Sequence, residues 1–223
     1  TATRRFMAGA LSVALLGGSH KAVIPAGKTL FSDALPFDLQ PLEKLAITIN
    51  YTKAPAQPTV HMGSRTTSYI MRGVTNAATN FAPSFRENHW FNIASIDVYD
   101  MTAKSIAIIG NSITDGKNAT DNANNRWPDV LSETLQKKHG VTDRGILNLG
   151  IGNNRVTMTG GFGFMARQRF DRDILSQRGV HTVIVFEGVN DIGAAGNGGS
   201  EAVANDLIRA YEEMIRKAKE RNL

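Results

Sequence analysis

Three short apolar runs, at residues 105–109, 146–149 and 182–186, alternate with three stretches of helical spacing in the second half of this 223-residue chain. Apolar runs of this length suit parallel strands buried on both faces. Between the first two runs, Trp127, Val130, Leu131, Thr134 and Leu135 recur at intervals of three and four, with Pro128 in the first turn. Residues 170–176 read as a short helix with Gly179 after it. Residues 201–221 read as a longer one, with Val203, Leu207, Ala210, Met214 and Ala218 on one face. Strand, helix, strand, helix, strand, helix predicts a parallel sheet covered on both faces. Ligands of such sheets bind beyond the carboxyl ends of the strands. The loops after Ile109, Leu149 and Phe186 therefore share one edge.

Upstream the style differs. Six of the seven prolines precede residue 100, and fifteen of the 21 glycines follow it. This places a boundary near residues 100–104, with a β-rich module expected over 1–100 and an α/β domain over 101–223. Leu45, Ile47, Ile49 and Tyr51 alternate with Ala46, Thr48 and Asn50, the period of a half-buried strand. Leu35, Phe37 and Leu39 alternate in the same way, and residues 91–99 are a further strand candidate. Turn signals at Pro25-Ala26-Gly27 and at 55–58 complete the pattern of an antiparallel, sandwich-like module.

Composition narrows the function classes. Hydrophobic residues make up 42% of the chain and charged residues 20%, the balance of a globular protein. No apolar run approaches the ~18 residues of a membrane-spanning helix. Cysteine is absent, which removes disulfide frameworks, cysteine zinc sites and a cysteine nucleophile. The net charge of +5 comes from 25 basic residues set against 20 acidic ones. The basic residues are scattered, so a nucleic-acid partner is not expected. No His or carboxylate cluster has metal-ligand spacing, and neither a metal nor another cofactor is expected. The first residue is Thr1, and Arg4-Arg5 ahead of an apolar stretch resembles a twin-arginine export signal. The competing reading there is a strand over 10–16, favoured because the same β style continues without a cleavage boundary. At the other end the chain stops after a helix where another strand is expected, so it reads as truncated.

The three rim loops carry the chemistry. The first is Gly110-Asn111-Ser112-Ile113-Thr114-Asp115-Gly116, the second runs from Asn148 to Arg155, and the third is Glu187-Gly188-Val189-Asn190-Asp191. One offers a hydroxyl nucleophile and another a side-chain amide. Acyl transfer from an ester needs this set: an activated oxygen, and fixed N–H groups where the carbonyl oxygen becomes negative. The first block resembles the nucleophile block of the SGNH (GDSL-type) esterases and lipases, and Gly188-Val189-Asn190-Asp191 resembles their Gly-x-Asn-Asp block. Arg126-Trp127-Pro128 and Phe170-Asp171-Arg172-Asp173 resemble a branch of that family in which a β-sandwich precedes the hydrolase domain. The resemblance implies a flavodoxin-like three-layer α/β/α domain. It also implies that Ser112 is the nucleophile, that its N–H and the Asn190 amide form an oxyanion hole, and that export places the protein in a secreted or periplasmic setting. Asp115 and Asp191 are expected to support the loops.

Three departures from the family pattern stand out. Asn111 occupies a position where Asp is frequent. The backbone oxyanion donor of the second block, six positions into the run that starts at Asn148, falls on Asn153, with Gly152 one residue earlier. Asn tolerates unusual backbone angles, so an N–H at Asn153 remains usable. The family's Asp-x-x-His is absent from these 223 residues. His181 and His139 fall at the far edge of the sheet, roughly 15 Å from Ser112, while His20, His61 and His89 lie upstream of the α/β domain. The expectation is that His and Asp come from a missing C-terminal segment or a second chain. The expected substrate is a small acyl ester, acetyl on a carbohydrate for example. The alternative is a non-catalytic module of the same scaffold that binds an acylated glycan. Gly150-x-Gly152 also resembles part of a dinucleotide fingerprint, but the third glycine is missing.

Overall fold

The computed structural model describes residues 18–19, 21–73 and 84–223. The Arg4-Arg5 pattern, the 10–16 strand and His20 lie outside the described residues. Two compact units emerge. One holds residues 61–67, 88–90 and 98–223, and the other holds the remaining described upstream residues.

The larger unit is built on a three-stranded parallel sheet. Strand β5 (Lys104–Gly110) lies between β6 (Arg144–Gly150) and β7 (Val180–Phe186). Gly110 is in register with Gly150 on one side and with Phe186 on the other. Successive connections thus run to opposite sides of β5, and a crevice must open at its carboxyl end. The pleat sorts the side chains into two layers. Ala107, Ile109, Leu147, Leu149, Val183 and Val185 face a core shared with Phe170, Ile174, Val203, Leu207, Ala210 and Met214. These come from α3 (Ala166–Phe170), the π-turn that continues it (Asp171–Leu175), and α5 (Ser200–Glu220). Burying Leu207 and Met214 contributes about 1.5–3 kcal/mol each. On the opposite face α1 (Ser112–Asp115) and α2 (Trp127–His139) close the third layer. There the Trp127 ring meets Phe186 edge-on, with centroids 6.0 Å apart.

Local chemistry sets the ends of α2. Pro128 stands in its first turn, and the Asp129 carboxylate accepts the Arg126 N–H at 3.1 Å, so the orphan donors of the helix start are partly answered. Gly140 closes the helix in a left-handed conformation. A short helix α4 (Val189–Gly193) follows β7.

The upstream residues depart from expectation. Among the described residues they form strands β1 (Val60–His61), β2 (Ser68–Ile70), β3 (Phe85–Glu87) and β4 (Trp90–Phe91), paired as β1–β4 and β2–β3. These are two two-stranded sheets rather than a sandwich. The segments 35–39, 45–51 and 92–99 are not strands. Alternation alone does not make a strand, because its backbone groups need a partner and its apolar face needs a cover. Among the described residues Ile47 and Ile49 pair with no strand, and they remain 49% and 43% exposed.

Candidate active site

The first loop leaves β5 at Gly110. Asn111 is buried and caps α1, its side-chain oxygen accepting the Ile113 N–H at 3.0 Å. This turns the chain so that Ser112, half-buried, opens α1 at the carboxyl edge of the central strand. Gly116 ends the turn in a left-handed conformation. Asp115 is almost fully buried, and one of its oxygens accepts the Gly152 N–H at 2.9 Å. The nucleophile turn is thereby tied to the second loop.

The second loop is fixed from three sides. Asn148 gives its amide to the Thr114 carbonyl at 2.8 Å and accepts the Gly150 N–H. Asn153 stands at φ +54°, in the left-handed region that Asn tolerates better than other side chains. The Gly152 N–H is given to Asp115 and is not free to serve an oxyanion. Asn154 is buried, and its amide holds the carbonyls of Phe162 and Phe164 at 2.7 and 2.9 Å. These bonds brace the glycine-rich segment 160–163.

The third loop docks onto the second. The Asn190 amide donates to the Asn154 carbonyl at 2.8 Å. Asp191 is fully buried and accepts the N–H groups of Val156, Thr157 and Met158 at 2.8, 2.9 and 3.2 Å, with the Thr157 hydroxyl at 3.0 Å. Gly188 sits at φ +105°, and a Cβ there would stand 2.5 Å from the Tyr211 hydroxyl, so a side chain is excluded twice over. That hydroxyl donates to the Glu187 carbonyl at 2.9 Å. Burial raises the Tyr211 phenol above its usual range, and the charges of Asp191 and Glu187 add to the effect.

A buried arginine joins all three loops from below. Arg169 is 1% exposed. It donates to the carbonyls of Gly110 and Leu149 at 3.2 and 2.8 Å, to the Asn154 side-chain oxygen at 3.1 Å, and to Asp173 at 3.1 Å. Its guanidinium also lies 3.6 Å from the wholly buried Glu187 carboxyl. Neither Glu187 oxygen closes a hydrogen bond of ordinary geometry, although the Asn111 side chain and the Gly188 N–H lie alongside. Burial pushes this carboxyl up to about 7, with the Arg169 charge as the main opposing influence. Sequence reasoning missed both residues. A buried Arg that binds main-chain carbonyls has no partner pattern to read, and Glu187 passed as one more polar loop residue.

The histidines are placed as follows. His181 is near the start of β7 and His139 ends α2, both away from the carboxyl edge. His61 lies in the same compact unit as the sheet, its Nε2 2.6 Å from Asp115 Oδ1. The expectation that an upstream histidine would have to cross a domain boundary therefore does not hold for this one. Among the described residues no group of three or more His, Asp or Glu is arranged to hold a metal ion, and no helix is long and apolar enough to cross a membrane.

Residues 108–223 match the family described as GDSL-like lipase/acylhydrolase. No curated protein matches the chain. Among solved structures it is similar to AlinE4, described as an SGNH-hydrolase family esterase, with 25% identity over 52% of this chain and a TM-score of 0.39. A mutant of the same esterase aligns with 22% identity over the same 52%, with a TM-score of 0.40. The chain spans 55% of the length of these structures.

Proposed function

The chain belongs to the GDSL-like lipase/acylhydrolase family, and on that footing we propose that it is a serine ester hydrolase with Ser112 as nucleophile. The Ser112 hydroxyl gives its proton to a base as its oxygen bonds to the ester carbonyl carbon, the carbonyl oxygen takes up the negative charge, and the base later hands that proton to the leaving alcohol. The N–H groups of Ser112 and Asn153 and the Asn190 side-chain amide receive that charge. Collapse breaks the C–O bond to the alcohol, which leaves with a proton, and water then releases the acid from Ser112. The base is a His with an Asp partner, supplied by a segment outside residues 1–223 or by a second chain.

One observation supports this reading above the others. The Asn190 amide has two N–H groups, and the Asn154 carbonyl takes one of them at 2.8 Å. That bond fixes the orientation of the amide, and its second N–H has no further hydrogen-bond partner among the described residues. A donor held this way costs no reorganisation when charge develops, which is the property an oxyanion hole requires. The proposed substrate is a short acyl ester, acetyl on a carbohydrate. A cavity of about 170 Å³ beside Asn154, lined in part by Arg155, Phe162, Phe164 and Gln168, offers mixed polar and aromatic contacts suited to a sugar. A secreted or periplasmic setting is proposed from the family resemblance together with the Arg4-Arg5 pattern.

An organophosphonate ester probe with peptide mass mapping tests the assignment. Label on Ser112, and loss of short-chain ester hydrolysis in Ser112→Ala, are expected. Label on another residue, or unchanged hydrolysis in Ser112→Ala, refutes it. Retained binding of an acetylated glycan without turnover would select the non-catalytic alternative.

A further inference from the structure

The site includes a residue from well outside the segment that carries the family likeness. Residues 61–65 lie against the nucleophile turn and grip it at two points. His61 Nε2 is 2.6 Å from Asp115 Oδ1, and because a carboxylate can only accept, Nε2 carries the hydrogen. Arg65 Nε donates to the Gly116 carbonyl at 3.1 Å, one residue further along. Between these grips the chain passes so close over Asp115 that a Cβ at Gly63 would stand 1.9 Å from the carboxylate. The His61 ring is held from the side by Trp90, edge-on at 5.3 Å between centroids. Arg126 anchors the strap through the Ser64 carbonyl at 3.3 Å.

Asp115 is the link. One oxygen takes His61, and the other takes the Gly152 N–H at 2.9 Å. Gly152 precedes Asn153, the proposed backbone oxyanion donor. The path His61–Asp115–Gly152 is therefore a continuous line of hydrogen bonds from an upstream segment, through the nucleophile turn, to the oxyanion turn. Asp115 is 6% exposed, so an oxygen deprived of its partner has little water to turn to.

We propose that His61 is a positioning residue for ester hydrolysis, fixing the Asn153 N–H through Asp115 and Gly152; this rests on the hydrolase reading above. His61 does not touch the reacting atoms. It saturates one side of Asp115, so that the other side holds the Gly152 peptide in a single place. An oxyanion donor matters most when the carbonyl oxygen carries its charge, so loss of His61 lowers kcat and spares KM. Removing such a donor outright costs about 10²–10³-fold. Displacing it costs less, on the order of tenfold.

The test compares His61→Ala with His61→Gln, whose side-chain N–H reaches where Nε2 stood. Three measurements are made on the protein together with the segment or second chain that carries the base: amide exchange of Gly152 by NMR, kcat and KM on a short-chain ester, and the extent of Ser112 labelling by the phosphonate. In His61→Ala, Gly152 exchange is expected to speed up by about tenfold or more. A fall in kcat of about tenfold and a KM within about twofold are expected alongside it. His61→Gln is expected to restore exchange and kcat to within about twofold. Unchanged Gly152 exchange in His61→Ala, a loss carried by KM, or a Gln variant no better than Ala overturns the role of His61 while the hydrolase reading stands. Absence of both hydrolysis and Ser112 label in the unaltered protein with its base present overturns the hydrolase reading instead.

Discussion

Glu187→Gln should stabilise this protein at alkaline pH and leave it unchanged in acid. The Glu187 carboxyl is wholly buried, lacks a closed hydrogen bond, and lies 3.6 Å from Arg169. Burial raises it from an ordinary value of 4.5 to about 7. The unfolded chain gives up this proton near 4.5, whereas the folded chain keeps it until about 7. Between those values the folded state binds more protons, so stability falls as pH rises. The benefit of the raised value is complete below about 4.5 and gone above about 7. The displacement corresponds to at most about 3 kcal/mol. Gln resembles the protonated acid in shape and charge, so the variant escapes the loss. For a chain of this size, about 3 kcal/mol corresponds to roughly 6–12 °C in Tm. The assay is thermal unfolding of both proteins at pH 4.5 and pH 8.5. The two Tm values should coincide at the lower pH and separate at the higher, with the Gln variant above. A difference that stays flat across this range, or an unaltered protein that gains on the variant as pH rises, would refute the burial argument.

Two further substitutions probe the rim. Asn190→Ala removes a proposed oxyanion donor and should reduce kcat about 10²–10³-fold with little change in Tm; steady-state kinetics beside a melting curve checks both halves. Asp191→Ala strands three backbone N–H groups that now share one buried carboxylate. It should cost at least about 3 kcal/mol in urea unfolding, and a loss under about 1 kcal/mol would mean that water or a neighbour takes over.

The parts of the molecule legible in the sequence are those in which a residue's own periodicity determines its fate. The spacing of Val203, Leu207, Ala210, Met214 and Ala218 gives the buried face of α5 because a helix repeats every 3.6 residues whatever lies opposite. Strands β5, β6 and β7 follow from short apolar runs, and parallel topology alone carries Ser112, Asn153 and Asn190 to one edge. Periodicity misled where a partner was needed. Leu45, Ile47 and Ile49 alternate as a strand would, yet among the described residues no strand pairs with them, and they stay exposed.

The connections within the site were illegible for a different reason. Arg169 binds the carbonyls of Gly110 and Leu149, groups that every residue possesses and that no pattern marks. His61 meets Asp115 across 54 positions of chain, through a strap whose course depends on Gly63 lacking a side chain. The same logic bears on Asn111. Its oxygen is committed to the Ile113 N–H, so its amide hydrogens are what the side chain can offer to the neighbouring Glu187. An Asp in its place would set a second carboxylate beside one that burial already holds near neutral, and like charges there would push Glu187 higher still. Asn at 111 is thus the residue that a buried Glu at 187 calls for. The departure from the family's frequent Asp makes physical sense only once the third loop is seen lying against the first.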